Sequence, residues 1–254
     1  MVRAPALQAG CQGFDSPQLH QPPQEVARRS LAEASGGGLF THDLLATVGK
    51  PTIYTIHMPK AVMLWSGGKD SALALYRCTQ RGYSIKSLVT FGPWKAKFQA
   101  HPIPMIKLQA SSLGLPHHMI EIEEPFRESY IKQFKIMKSE GVEAVITGDI
   151  DYVDGYPSLI QQCCEEVGLQ CVLPLWQENR DVLMHEILDA NFHIVMTYLS
   201  HPSLDQSWRG RRITREAIQE LRRLPIDLCG ENGEYHTMTL NMPLFHKEIE
   251  MIAE

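Results

Sequence analysis

The chain has few of the features that would staple it together or fix it to a membrane or a nucleic acid. Six cysteines, at 11, 78, 163, 164, 171 and 229, occur in 254 residues, and none forms a Cys-x-x-Cys pair. That spacing argues against a zinc ribbon and against a disulfide framework, and it fits a reducing cytoplasm. Cys163 and Cys164 are neighbours in a predicted helix and point to different faces, which suits packing. No apolar run reaches the roughly 20 residues that cross a bilayer as a helix, so no membrane partner is expected. Basic charge is also in deficit: 24 Lys plus Arg against 29 Asp plus Glu give a net charge of -5. A nucleic-acid partner is therefore not expected. One local patch, Arg209, Arg211, Arg212 and Arg215, reads equally well as a solvated helix start. The Walker loop, with Gly-Lys-Ser/Thr at its end, is missing too.

What is present is a soluble globular composition, 44% hydrophobic and 21% charged, long enough for one large or two modest domains. Residues 1–57 look unlike the rest. They carry Gln21-Pro22-Pro23-Gln24 and Ser35-Gly36-Gly37-Gly38, with little periodicity and balanced charge. They are expected to be mostly disordered, with a short helix within 24–34. Gly13 to His20 back-translates into the T-arm and acceptor end of a tRNA or tmRNA gene, which would place the true start near Met58.

From Lys60 onward, apolar runs alternate with helical patterns, the signature of a parallel α/β sheet. Ser66-Gly67-Gly68-Lys69-Asp70-Ser71 lies between the apolar run Ala61–Trp65 and a helix beginning Ala72-Leu73-Ala74-Leu75. Strand, glycine turn and helix together present backbone N–H groups to an anion. Gly67 and Gly68 allow positive φ and leave room for a phosphate. Lys69 adds a point charge, Ser66 and Ser71 add hydroxyls, and Asp70 can cap the helix or help hold a metal. An ordinary glycine-rich βα turn is the bland alternative. The stretch resembles the PP-loop of the ATP pyrophosphatases. That resemblance implies a loop that holds the β and γ phosphates while a substrate attacks the α phosphorus.

Further strands are expected at Ile85–Phe91, His118–Ile122, Ala144–Thr147, Gln170–Leu173 and Ile194–Thr197. The loop at 92–102 carries Trp94, Phe98 and His101. A helix from about Tyr156 to Val167 follows Gly148-Asp149-Ile150. Phe126, Tyr130, Phe134 and Met137 share one helix face and read as core. Residues 58–176 are assigned to an ATP-binding domain and 177–254 to a smaller second α/β domain, with the substrate cleft between them. In the latter, Cys229-Gly230-Glu231-Asn232-Gly233-Glu234-Tyr235-His236-Thr237 concentrates acids, a histidine and glycines. Such a loop can bind a cation or act as acid or base. A surface turn before an edge strand is the alternative.

Taken together, the PP-loop, Gly148-Asp149-Ile150, Pro174-Leu175-Trp176, Gly210-Arg211, the Cys229–Thr237 stretch and Pro243-Leu244-Phe245 resemble the diphthine–ammonia ligase family, in its short prokaryotic form. The likeness covers about residues 60–245, and eukaryotic members carry further C-terminal domains. It implies a HUP-like, Rossmann-like PP-loop domain and an amide-forming reaction in the cytoplasm. ATP activates the carboxylate of diphthine on elongation factor 2, and ammonia displaces AMP. Carried over, Ser66 to Ser71 bind the pyrophosphate beside Gly148 and Asp149, and Lys69 stabilises the leaving group. Asp70 or Asp149 holds Mg²⁺. The loop of Gly230, Glu231, Asn232, Gly233, Glu234 and Thr237 faces the acceptor, Glu231 and Glu234 orienting it or the ammonia. His101 and His236 are candidate proton shuttles, with a satisfied or surface histidine equally open for each. No glutaminase segment is evident, so free ammonia is the nitrogen source. In a bacterium, which has no diphthine, the acceptor would be another carboxylate. A tRNA-modifying enzyme and a non-catalytic ATP sensor are the rival readings. A homo-oligomer stays open.

Overall fold

The computed structural model describes residues 57–92, 100–152 and 158–251. The N-terminal stretch with its expected helix lies outside these residues, as do Trp94, Phe98 and the expected helix start at Tyr156.

Five strands form one parallel sheet: β1 (Lys60–Leu64), β2 (Ser84–Gly92), β3 (His117–Glu121), β4 (Ala144–Ile146) and β5 (Gln170–Val172). Their spatial order is β3-β2-β1-β4-β5. β1 is central, and the chain leaves it for β2 on one side and later returns to β4 on the other. The carboxyl end of β1 is therefore the place where a loop can open between diverging connections.

The strands are apolar on both faces, as a sheet covered twice must be. Ala61 and Met63 of β1 join one core with Ala144 and Ile146 of β4, while Val62 and Val145 join the other. Helices α1 (Lys69–Gln80) and α2 (Ile103–Leu113) cover the first face; α3 (Phe126–Ser139) and α4 (Leu159–Val167) cover the second. The stripe expected on α3 is core: Tyr130, Phe134 and Met137 are buried and Phe126 packs beside them. Both Cys163 and Cys164 are buried in the α3–α4 core. The described cysteines are all free thiols.

Beyond β5 come α5 (Arg180–Asp189), β6 (His193–Leu199), α6 (Arg215–Leu221) and β7 (Tyr235–Asn241). β6 and β7 form a second, two-stranded antiparallel sheet. The helix starts follow the sequence: Asn179 caps α5 and Thr214 caps α6 through side-chain oxygens on first-turn N–H groups. The C-terminal residues share the core of the first face: Leu183, Ile194, Met196, Ile218 and Tyr235 pack into the same apolar cluster as Met63 and Trp65. Arg77 of α1 reinforces this, donating to Glu178, Glu186 and the Pro174 carbonyl. Two arginines of the basic patch are paired, Arg211 on Glu220 and over the Trp208 ring, and Arg215 on Asp189.

Candidate active site

The glycine stretch forms the turn between β1 and α1, with Gly68 as the helix N-cap. Its shape is fixed internally. Gly68 N–H donates to Ser66 Oγ (3.3 Å), Ser66 and Ser71 hydroxyls meet at 3.0 Å, and Ser71 Oγ donates to the Gly68 carbonyl (3.1 Å). Each hydroxyl has one proton, so this ring runs in one direction, with Ser66 donating to Ser71.

Only one of the two glycines takes the backbone conformation that the sequence reading allows for both. Gly67 has positive φ (80°), but Gly68 is extended, at φ -79°. Nor is the space beside them left open. A Cβ on Gly67 would fall 2.3 Å from Gln109 Oε1, and one on Gly68 would meet His101 Cε1 and the Thr237 carbonyl, each at 3.2 Å. Gly148, after β4, is also a close-approach position, since its Cβ would lie 2.7 Å from the Ser71 nitrogen. These glycines let protein pack on the loop from three sides.

The packing partner above the loop is β7. Lys69 N–H donates to Thr237 Oγ1 (3.1 Å), and Thr239 N–H donates to the Gly67 carbonyl (2.9 Å). Gln109, fully buried on α2, completes the contact. Its amide nitrogen donates to the carbonyls of Gly67 (2.9 Å) and Thr239 (2.7 Å), and its oxygen accepts from Trp65 Nε1 (3.0 Å).

Lys69 links the two motifs directly. Its buried ammonium donates to both Asp70 oxygens (2.9 and 2.7 Å) and to the Cys229 carbonyl. Burial alone would lower its pKa, but the negative groups around it, Asp70 foremost, hold it well above the ordinary lysine value. Burial raises Asp70 against the pull of Lys69. Asp149 accepts from Thr147 (2.8 Å) and Ser158 (2.6 Å) hydroxyls; burial raises its pKa despite them.

Within the C-terminal loop the acids divide. Buried Glu234 braces the loop itself, accepting from the N–H groups of Asp227 (2.8 Å) and Asn232 (3.0 Å) and from the Asn232 amide (2.9 Å). Glu231 lies among charges, and its carboxyl is pushed up to about 8 by burial and by Asp70, against Lys69. Gly230 takes φ 78° close against the Tyr235 ring, while Gly233 turns in open space. His236 and His101 meet edge to face, 5.4 Å between ring centroids, and Tyr198 lies 5.6 Å from His236. Burial, with His236 and Lys69 adding to it, pushes His101 down to about 3; burial and Lys69 push His236 to about 4.

Three residues at the site were not anticipated. Gln109 had a signal, being a polar side chain on the apolar face of Ile106, Ala110 and Leu113. Arg180 had another, because an arginine in the first turn of a helix opposes the dipole and needs a reason to be there. It reaches Asp227 (3.0 Å) and Asp151 (2.9 Å), tying the C-terminal loop to the segment after β4. Asp227 in turn accepts from the Cys229 N–H (2.7 Å), and nothing in its sequence surroundings marks it. Among the described residues, no group of three or more His, Cys, Asp or Glu is arranged to hold a metal ion. No described helix is long and apolar enough to cross a membrane.

A parallel sheet with Ser-Gly-Gly-Lys-Asp-Ser at the turn of its central strand defines an ATP-binding protein of the PP-loop class. The diphthamide synthase N-terminal domain model matches residues 59–171 and the C-terminal domain model matches residues 179–254. The chain belongs to the diphthamide synthase family. It is 26% identical to diphthine–ammonia ligase of Mus musculus over 221 residues, 75% of this chain and 82% of that protein. It is 25% identical to the Schizosaccharomyces pombe diphthine–ammonia ligase over 217 residues, 75% of this chain but 36% of that one. Long additional segments thus mark the yeast relative and not the mouse one, which narrows the expectation that eukaryotic members are longer. A predicted subunit of tRNA methyltransferase from Methanocaldococcus jannaschii is similar at 21% identity and TM-score 0.43, covering 76% of this chain and all of that one.

Proposed function

We propose that this protein is an AMP-forming amide ligase. A carboxylate oxygen attacks the α phosphorus of ATP, pyrophosphate leaves, and ammonia attacks the acyl carbon and expels AMP. The acceptor is the carboxylate of diphthine, the substrate for which the relatives are named, carried on elongation factor 2 as the family resemblance implies. The observation that carries this reading is the docking of β7 on the PP-loop through Thr237, Thr239 and the Lys69–Cys229 contact, which puts a nucleotide motif and an acid-rich loop in one site.

The donor set fits a phosphate chain. The hydroxyls of Ser66 and Ser71 can rotate without moving their oxygens, and at the first turn of α1, where helix N–H groups lack intrahelical partners, the Lys69 N–H is held by Thr237 Oγ1, leaving those that follow it. Lys69 supplies positive charge at the same end of the helix. Asp70 and Asp149, the first of which adds to the raised proton affinity of the second, are the carboxylates that would face Mg²⁺ entering with the nucleotide.

For the second half-reaction, Glu231 is the better proton acceptor. A carboxyl titrating near 8 is matched to a proton leaving an attacking ammonia at neutral pH. Imidazoles pushed to about 3 and 4 stay neutral and act through hydrogen bonds. Glu234 sets the loop that presents Glu231.

The test is product analysis with Mg-ATP, ammonium and a panel of carboxylates that includes diphthine-bearing elongation factor 2. AMP and pyrophosphate, formed only with acceptor present, support ligation. ADP, or no turnover across the panel, would overturn it.

A further inference from the structure

His101 is a polar residue in a place where its polarity is not explained by the fold. It is buried to 8% exposure, and its Nδ1 has no hydrogen-bond partner. Leaving a buried polar atom unpaired costs about 1–3 kcal/mol, so an apolar side chain would serve packing better.

The position of the ring suggests why it is retained. Cε1, the carbon between the two ring nitrogens, is the atom that stands against Gly68 at the start of α1. The nitrogen-bearing edge therefore faces the PP-loop. The charge that acts on His101 at neutral pH is Lys69, with the neutral His236 ring beside it and no carboxylate among the groups that shift it. A neutral imidazole in such a field is a donor for an anion. An unpaired buried N–H is rarer than an unpaired acceptor, which places the proton on Nε2 and leaves Nδ1 as the silent lone pair.

Asp149 follows β4, and Gly148 beside it packs against the Asp70 backbone, so the carboxylates that would face a metal lie on that side. His101 enters instead from the segment after β2, on the opposite side of β1. Building on the nucleotide reading given above, we infer that His101 Nε2–H is a hydrogen-bond donor to the α-phosphoryl group, the phosphate that remains in AMP. In that role it holds the reacting phosphorus in line and carries no proton through the reaction.

Calorimetric titration of AMP, adenosine and pyrophosphate into the full chain tests this. His101→Ala should weaken AMP by about tenfold or more, the worth of one hydrogen bond to a charged group, and leave adenosine within about twofold. His101→Gln, whose amide nitrogen reaches the Nε2 position, should restore most of the AMP affinity, whereas His101→Asn, which mimics Nδ1, should not. Equal loss of AMP and adenosine would make His101 a packing residue and overturn the inference. So would loss of pyrophosphate in place of AMP, unchanged AMP binding, or rescue by asparagine but not glutamine. Should His101→Ala fail to fold, the glutamine and asparagine pair decides by the same comparison. Wild-type protein that binds neither AMP nor pyrophosphate would overturn the nucleotide reading as well, whereas wild-type binding that the variants leave untouched removes this inference alone.

Discussion

Replacing Gln109 by leucine strips three hydrogen bonds to N–H and carbonyl partners from one fully buried position. Trp65 Nε1–H becomes an orphan donor in the apolar core, at about 1–3 kcal/mol. The carbonyls of Gly67 and Thr239 each lose one bond, about 1 kcal/mol apiece; the first keeps the Thr239 N–H. Burying leucine in place of an amide returns part of this, so the net loss should be about 2–4 kcal/mol, a large share of the roughly 5–15 kcal/mol that holds a domain together. Urea unfolding followed by circular dichroism would read it as a lower midpoint with unchanged slope. Nucleotide affinity should fall too, because Gln109 sets the Gly67 carbonyl and hence the turn. Gln109→Glu sharpens the test. Its carboxyl can still accept from Trp65, but it must stay protonated to donate to a carbonyl, so its folded pKa is raised and its stability falls as pH climbs. A leucine variant that loses less than about 1 kcal/mol, or a glutamate variant indifferent to pH, would refute the claim that this amide holds β7 to the loop.

Gly67→Ala combines a φ of 80° with a Cβ 2.3 Å from Gln109 Oε1. It should cost about 2 kcal/mol or more, and nucleotide titration should show binding lost while circular dichroism is retained. Arg180→Ala leaves Asp227 and Asp151 without their partner; thermal melts should fall by an amount on the order of 2 kcal/mol, acceptor-dependent turnover should drop at least about tenfold, and Arg180→Lys should recover less than half of it. Folding stability should depend on pH from both sides. Below about pH 6.5 the unfolded chain takes up protons that His101 and His236, lowered to about 3 and 4, refuse in the fold, so each contributes a loss of stability on acidification, at most about 1.4 kcal/mol per pH unit apiece. As pH rises from 4.5 toward 8, the unfolded chain releases a proton that Glu231 retains, so stability is lost on that side. His236→Asn should shallow the acid limb and Glu231→Gln the alkaline limb, each read from denaturant midpoints across pH.

The sheet was legible because its strands obey simple rules. Runs such as Ala61–Leu64 and Ala144–Ile146 are apolar on both faces, and only a parallel sheet covered twice wants that. Helix ends at Gly114 and Gly168 and caps at Asn179 and Thr214 are written in local residue types. The positions of the two motifs were legible as well, and their contact was not. Nothing near Lys69 says that its ammonium ends on the carbonyl of Cys229, 160 residues on. The same limit applies to Gly68, whose neighbours His101 and Thr237 come from distant segments. A glycine pattern reports that something must come close; whether that something is a phosphate or a side chain is decided by tertiary packing. Glu234 and Glu231 have the same residue type three positions apart, yet one is consumed by backbone N–H groups while the other keeps its place among charges.

That division of charge bears on how one small site could serve two substrates of opposite sign. Around Glu231 lie Asp70 and Asp227, with Lys69 and Arg180 opposing them, a surrounding that favours a proton or a cation. Around His101 and His236 the acting charge is Lys69, a surrounding that favours an anion. Lys69 belongs to both, since its ammonium closes on Asp70 while its field reaches the two rings. For an amide ligase this is a useful arrangement. Phosphate oxygens would be drawn to the imidazole side and ammonium to the carboxylate side, and the acyl carbon must sit between them. A lysine shared by the two sides also couples them: when a phosphate competes for the Lys69 ammonium, Asp70 loses part of its counter-charge, and the affinity of the acid-lined side for a cation rises. On this argument nucleotide would bind first and ammonium second, because the nucleotide's own charge completes the place where the cation is held.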